Sequence, residues 1–334
     1  MTTYVIRRLI QFVFIMFGLS LIFFLIIHLV PGGPCEITES VGARGVAQKE
    51  AACVARFGLN KPLPTQYITW IFNYLHGNFG VSFQYGLPVS TLILDALPIT
   101  CLLAISSYVC QQLIALPLGI FSALRQYSIF DLIATFISYV GLSMPTFVLG
   151  LFLLYFLTVQ FRIFPSGGVV SEDSNPFLSP AWYRQLFSNP PGTIGDVAYH
   201  LVLPAFTLMF VGIAGDSRFM RASMLDVIHQ DYIRTAKAKG LSRRAVIFKH
   251  ALRNAILPII TNIALYLPTL VGGFVITESI WTYNGVGHLF ITSLGDSDYQ
   301  VVLALLMLSG IAVLVANLLA DLTYAWVDPR IRYD

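Results

Sequence analysis

The run LIQFVFIMFGLSLIFFLIIHLV, residues 9–30, decides what kind of protein this is. It contains no Asp, Glu, Lys or Arg across its 22 residues. At about 1.5 Å per residue a helix of that length covers roughly 33 Å, the thickness of a bilayer's hydrocarbon core. Arg7 and Arg8 precede it, and Pro31-Gly32-Gly33-Pro34 follows it. A cleaved leader has a shorter apolar core and a small-residue cleavage site. This run is longer and ends without Ala-x-Ala, so it reads as a retained helix.

Five more stretches are long and apolar enough to span: Ile99–Leu124, Leu132–Val159, Leu201–Phe219, Ile259–Ile280 and Val301–Val327. Hydrophobic residues make up 56% of the 334 and charged residues 11%. A soluble domain carries about 25% charged residues, so a soluble chain this apolar would lack the polar surface to cover itself. The composition predicts an all-α integral membrane protein of six transmembrane helices. The second and third spans are separated by a few residues around Gln126 and Tyr127, which predicts a tight antiparallel hairpin. The polar tail Gly215-Asp216-Ser217-Arg218 leaves the inner boundary of the fourth span soft.

Charge placement sets the orientation. With the N-terminus inside, the inner segments hold Arg7, Arg8, Arg125, nine basic residues between Arg218 and Arg253, Arg330 and Arg332, 14 in all. The outer segments hold 6: Arg44, Lys49, Arg56, Lys61, Arg162 and Arg184. Cytoplasmic loops collect the positive charge, so both termini are expected inside. Cys35 and Cys53 then share the first outer loop, where an oxidising exterior permits a disulfide; two free thiols are the alternative. The spacing of cysteines and histidines suggests no zinc site.

The first outer loop, Pro31 to Pro98, is too long for a bare connection, and with the first helix forms an expected unit over residues 1–98. Within it Tyr67, Ile68, Ile71, Tyr74 and Leu75 mark one face of a helix, and Trp70 and Tyr74 suit a membrane–water interface. That helix reads as a packed cap or as a surface for an external partner. The second outer loop, Gln160 to Tyr199, is rich in Pro, Ser and Gly and reads as irregular and exposed.

The basic inner loop, residues 220–258, lies within the remaining unit, 99–334. It divides into two short helices around Gly240. Asp231 is a candidate cap for the first, in which Thr235, Ala236 and Ala238 are small. Gly240 ends it, because glycine tolerates the left-handed conformation at a helix C-terminus. Ser242 can cap the second, where Ile247, Phe248, Ala251, Leu252, Ala255 and Ile256 form an apolar stripe. The charge by itself leaves three meanings open: positive-inside bias alone, adhesion to anionic lipid, or a seat for a cytoplasmic protein. Small residues favour the last, since lipid binding does not need them.

Asp231-Tyr-Ile-Arg-Thr-Ala-Lys-Ala-Lys-Gly240-Leu, followed by His250-Ala-Leu-Arg-Asn-Ala-Ile-Leu-Pro258, resembles the conserved loop of ABC importer permeases of the dipeptide/oligopeptide and nickel branch. Generic importer permeases carry Glu-Ala-Ala where this chain has Arg234-Thr235-Ala236, a departure that the peptide branch shares. Leu29-Val-Pro-Gly-Gly-Pro34, Phe57 to Tyr67, His76 to Ser82, Gly141-Leu-Ser-Met-Pro145, Thr277-Glu278-Ser-Ile, Gly285-Val-Gly287 and Asp328-Pro-Arg-Ile-Arg332 match in order. The resemblance implies a type I importer permease fold with a small extracytoplasmic subdomain between the first two helices. It implies that Asp231, Tyr232, Arg234, Thr235, Ala236, Ala238 and Gly240, with His250, Arg253 and Asn254, form a coupling helix seated on an ATPase. The partners so implied are a second homologous permease chain, two ATPase subunits, an extracytoplasmic solute-binding protein and membrane lipid; nucleic acid has no place among them.

No Gly-Lys pair occurs anywhere, so the usual phosphate-cradling loop is absent. The expectation is a permease that is not an enzyme and binds no cofactor or metal, with ATP and Mg held by the partner subunits. On that reading the mechanism is alternating access. Pro268, Gly272 and Gly273 on the fifth span, and Glu278 near its outer end, are candidates for the solute path. Asp216 and Asp321, like Glu278, read as lying near span ends. Peptides are the expected solute, with nickel or another small solute as the alternative. A proton-coupled carrier would instead show mid-membrane acids and inverted repeats, neither of which is evident.

Overall fold

The computed structural model describes residues 2–29, 54 and 60–327. Among these the chain is helical, with no strand and one isolated bridge between Val81 and Pro88. The helices are α1 (Thr2–Leu29), α2 (Leu63–Leu75), α3 (Val89–Leu124), α4 (Ile129–Ser143) and α5 (Thr146–Leu153), which runs on as a π-helical stretch Leu154–Gln160. Then come α6 (Pro180–Ser188), α7 (Pro190–Ile228), α8 (Asp231–Ala238) and α9, built from Arg243–Ala245, a π-helical stretch Val246–Ala251 and Leu252–Ala255. Last are α10 (Leu257–Gly272), α11 (Val275–Ile280), α12 (Val286–Gly295) and α13 (Tyr299–Val327).

Four helices are long and apolar enough to cross a membrane: α1, α3, α7 and α13. The third expected span is a bent pair, α4 and α5, turned by 96° at Met144-Pro145. Proline disfavours helical backbone at the residue before it, and Met144 is extended. The fifth expected span, Ile259–Ile280, is not one helix either. It breaks at Gly273, whose φ of 72° is open to glycine. The 16 residues of α10 reach about 24 Å, short of a full crossing by themselves. The fourth span is longer than expected: α7 runs unbroken through Asp216 and Arg218 to Ile228.

The long helices pack as a bundle centred on α3 and α7. Gly119 allows that approach, since a Cβ there would lie 2.7 Å from the Met220 Cβ. The expected α3–α4 hairpin is present, with Tyr127 at φ 63° in its turn and the Ser128 hydroxyl accepting from the Asp131 amide. Arg221 closes the hairpin onto α7: Nε and Nη2 donate to Asp131 Oδ1 and Oδ2 at 2.7 and 2.8 Å. α13 packs on α10 and α1, and Arg8 and Asp321 meet at 2.8 Å. Val13, Phe14, Leu113 and Phe136 are exposed, an outer surface suited to lipid.

Two expectations about the connecting segments need correction. The inward face of α2 is Tyr67, Trp70, Ile71 and Tyr74, while Ile68 and Leu75 point outward. Tyr67 reaches the Ser20 hydroxyl at 2.8 Å and packs on Phe24, so α2 lies along α1. Periodicity alone could not show that Trp70 would face α1. Residues 160–199 are not wholly irregular: Ser179 caps α6, Asn189 caps α7, and Trp182 is buried with Val169. Prolines at the first positions of both helices fit helix starts rather than loop. Cys35 and Cys53 lie outside the described residues, whereas Cys101 and Cys110 are free thiols.

Candidate functional site

The basic loop forms a platform at one end of the bundle. Ile233 and Ala236 of α8 are buried against Ile120 and Ala123 of α3, Met220 and Met224 of α7, and Val246, Ala251 and Ala255 of α9. Ser223 Oγ donates to the Ala255 carbonyl at 2.7 Å, tying α7 to α9. Asn254 Nδ2 donates to the Tyr232 hydroxyl at 2.7 Å, tying α9 to α8. A cleft of about 390 Å³ opens beside this core, lined by Leu124, Ile228, Leu241 and Ile247, with Lys237 and Arg243 among its polar residues.

The exposed face of α8 carries Asp231, Tyr232, Arg234, Thr235 and Ala238. Ala236 does not belong to it: at 5% exposure its small side chain serves the close seat of α8 on its own chain. Asp231 is the first helical residue rather than the cap, and the capping position is Gln230. Its carboxylate still lies in the first turn, where negative charge favours the helix dipole. Asp231 and Arg234 approach to 3.4 Å, an exposed pair that contributes little. Gly240 has φ 75° with nothing near its Cβ direction, so conformation and not space requires glycine there. The Ser242 hydroxyl accepts from the Ala245 amide at 3.3 Å, the expected second cap. His250 is half-buried; Arg253 and Asn254 are exposed. The result is a helix seated on its own chain through Ile233 and Ala236, with Thr235 and Ala238 exposed among charged residues.

At the far end of the bundle the path candidates separate by role. Glu278 has no exposed surface. Its Oε1 accepts from the Thr100 hydroxyl and the Phe274 amide, both at 2.9 Å, and its Oε2 from the His288 amide at 3.0 Å. Thr100 Oγ1 in turn accepts from the Val286 amide at 2.8 Å. One carboxylate therefore caps the starts of α11 and α12 and ties both to α3. A Cβ at Gly285 would lie 2.6 Å from Glu278 Oε2, and one at Gly273 would collide with the Gly287 backbone. The motifs Gly272-Gly273, Thr277-Glu278 and Gly285-Val-Gly287 are thus three sides of one joint. Glu278 is fully buried at the centre of that joint. Pro268 and Gly272 lie just before it on α10 and are half-buried.

A third polar cluster was missed at the level of sequence. The Gln111 and Gln112 side-chain amides of α3 both donate to Asp216 Oδ2 on α7, Gln111 at 2.7 Å. Because α7 continues for 12 residues beyond it, Asp216 is not at a helix end. Consecutive glutamines inside an apolar run were the available signal. Among the described residues no group of three His, Cys, Asp or Glu side chains could hold a metal.

The architecture is that of a multi-pass helical membrane protein with a supported, partly exposed helix at one end. The family described as "binding-protein-dependent transport system inner membrane component" matches residues 115–333, and its N-terminal companion matches residues 1–104. The chain belongs to this family, whose members are multi-pass permease subunits and not ATPases. It is 40% identical, over the whole of both chains, to the oligopeptide transport system permease protein AppB of Bacillus subtilis (strain 168). It is 35% identical to the dipeptide transport system permease protein DppB of Escherichia coli (strain K12), over 100% of this chain and 99% of that one. The di/tripeptide transport system permease protein DppB of Pseudomonas aeruginosa (strain UCBPP-PA14) stands at the same identity and coverage.

Proposed function

We infer that this chain is one permease subunit of an ATP-driven importer of di- and oligopeptides. The observation that carries the reading is full-length similarity to permeases named for peptides, joined to the supported helix α8. On this reading the basic-loop end is cytoplasmic, both termini lie there, and six spans cross a bacterial cytoplasmic membrane, with α10 and α11 forming the fifth. A second, homologous permease completes the path. Two ATPase subunits receive the exposed residues of α8, Asp231, Tyr232, Arg234, Thr235 and Ala238, together with Arg253 and Asn254 of α9. ATP and Mg belong to those subunits. A solute-binding protein delivers peptide at the other face, where Cys35 and Cys53 form a disulfide.

Closure of the ATPase pair moves α8, and the contacts of Ile233 and Ala236 pass that motion to the ends of α3 and α7. The path opens beside α10, where Pro268 and the Gly272-Gly273 break give the helix a place to bend. Glu278 holds the far joint while this happens. The test is purification of the chain from its host membrane followed by reconstitution. A second permease and an ATPase must co-purify, and labelled tripeptide must accumulate only with ATP and the binding protein. A chain that purifies without an ATPase refutes the reading.

A further inference from the structure

Among the described residues, Asp216 is an acid inside a span that the fold leaves partly unexplained. It sits five residues, about 8 Å, above Arg221, which marks the edge of the bundle where the α3–α4 hairpin turns. Acids inside a span are costly and usually face a partner or a path. Among the described residues no Lys, Arg or His pairs with Asp216. Both glutamine amides bind Oδ2, and among the described residues Oδ1 accepts no hydrogen bond.

Two further polar atoms beside it find no partner outside the cluster. Gln112 Oε1 is buried without a partner, although its amide nitrogen holds Asp216. The Tyr108 hydroxyl, one turn earlier on α3, is buried, and its polar neighbour is the Gln112 side-chain amide of the same cluster. The Tyr108 ring stacks on Tyr266 of α10, with centroids 4.2 Å apart and planes at 28°. Both rings lie within electrostatic reach of the carboxylate. Gly212 gives the cluster its room, since a Cβ there would collide with the Gln111 amide. A strut joining α3 to α7 would need Oδ2 alone. It leaves Oδ1, Gln112 Oε1 and the Tyr108 oxygen unaccounted for.

Three acceptors and a pair of aromatic faces make a receptor for a primary ammonium group. An ammonium has three N–H donors and no acceptor, and aromatic faces attract cations. The cluster adjoins α10, the helix that carries Pro268 and Gly272. We propose that Asp216, Gln112 and Tyr108 form an inner station that takes the ammonium end of the solute as it leaves for the cytoplasm. The proposal rests on the peptide-import reading, under which that group is the peptide's α-ammonium.

The experiment uses proteoliposomes holding the complete transporter, with binding protein and ATP supplied and trialanine as the probe. Wild-type uptake tests the peptide reading by itself; its absence would sink that reading and not this one alone. Given wild-type uptake, Asp216→Asn slows it about tenfold or more, the scale of losing a hydrogen bond to a charged group. Asp216→Glu, which keeps the charge, stays within about threefold, as does Gln111→Ala, which cuts the strut and keeps the carboxylate. ATPase activity and complex yield stay at wild-type level throughout. Uptake by Asp216→Asn at the wild-type rate overturns the proposal. So does an equal loss in Asp216→Asn and Gln111→Ala, which would mark a strut. If Asp216→Asn does not assemble, Tyr108→Phe decides: slower trialanine uptake supports the station, and unchanged uptake overturns it.

Discussion

Removing the Glu278 carboxylate should unfasten the far joint, and the structure gives the scale. In Glu278→Ala the Phe274 and His288 amides lose their acceptor, and the Thr100 hydroxyl loses its own. A buried donor left unsatisfied costs about 1–3 kcal/mol. Two backbone amides alone therefore give roughly 2–6 kcal/mol, and about 4 kcal/mol is the central expectation. At about 2–4 °C per kcal/mol for a chain of a few hundred residues, the midpoint for loss of the monodisperse complex should fall by about 10 °C. Glu278→Gln keeps one acceptor oxygen but turns an NH2 toward an amide N–H, so about half that shift is expected. The assay is size-exclusion chromatography of the detergent-purified complex after graded heating, paired with uptake. A Glu278→Ala complex that melts with wild type, yet carries no peptide, would refute the keystone role and return Glu278 to the solute path.

Breaking the Asp131–Arg221 pair should cost about 3 kcal/mol from either side, because Asp131 is buried with Ser122, Tyr127 and Arg221 as its partners. A double-mutant cycle by thermal melting should give a coupling above about 1 kcal/mol, and strict additivity contradicts the clamp. Gly240→Ala should cost about 1–2 kcal/mol for its left-handed backbone alone. Gly273→Ala adds a collision with Gly287 and should abolish assembly, so equal complex yields from the two variants would refute the assignment. Cysteine placed at Ala238 should react with a soluble maleimide and cross-link to the ATPase, whereas cysteine at Ala236 should resist both; rapid labelling of Ala236→Cys overturns the seat described for α8.

The sequence made the helices legible wherever one long apolar run became one helix, as in 9–29 and 301–327. It made the loop legible too, because Gly240 and Ser242 act through local backbone geometry. What stayed hidden depends on pairs far apart in the chain. Thr100 meets Glu278 across 178 residues, and Gln111 meets Asp216 across 105. The run Ile259–Ile280 stays apolar across Gly273, so the break there shows only once Gly287 is found pressed against it. Which way Ala236 faces is not legible, because smallness suits a partner and a tight internal seat equally well. Composition alone gave no reason to expect order in residues 160–199, where capped starts at Ser179 and Asn189 place two helices.

The central claim is that this chain carries solute only when an ATPase moves α8. Proteoliposomes containing the complete transporter should accumulate labelled tripeptide when ATP is supplied on the α8 side, and should stop when Thr235 and Ala238 are cross-linked rigidly to the ATPase. Accumulation driven by a proton gradient without the ATPase subunits, or undiminished after that cross-link, would contradict the account.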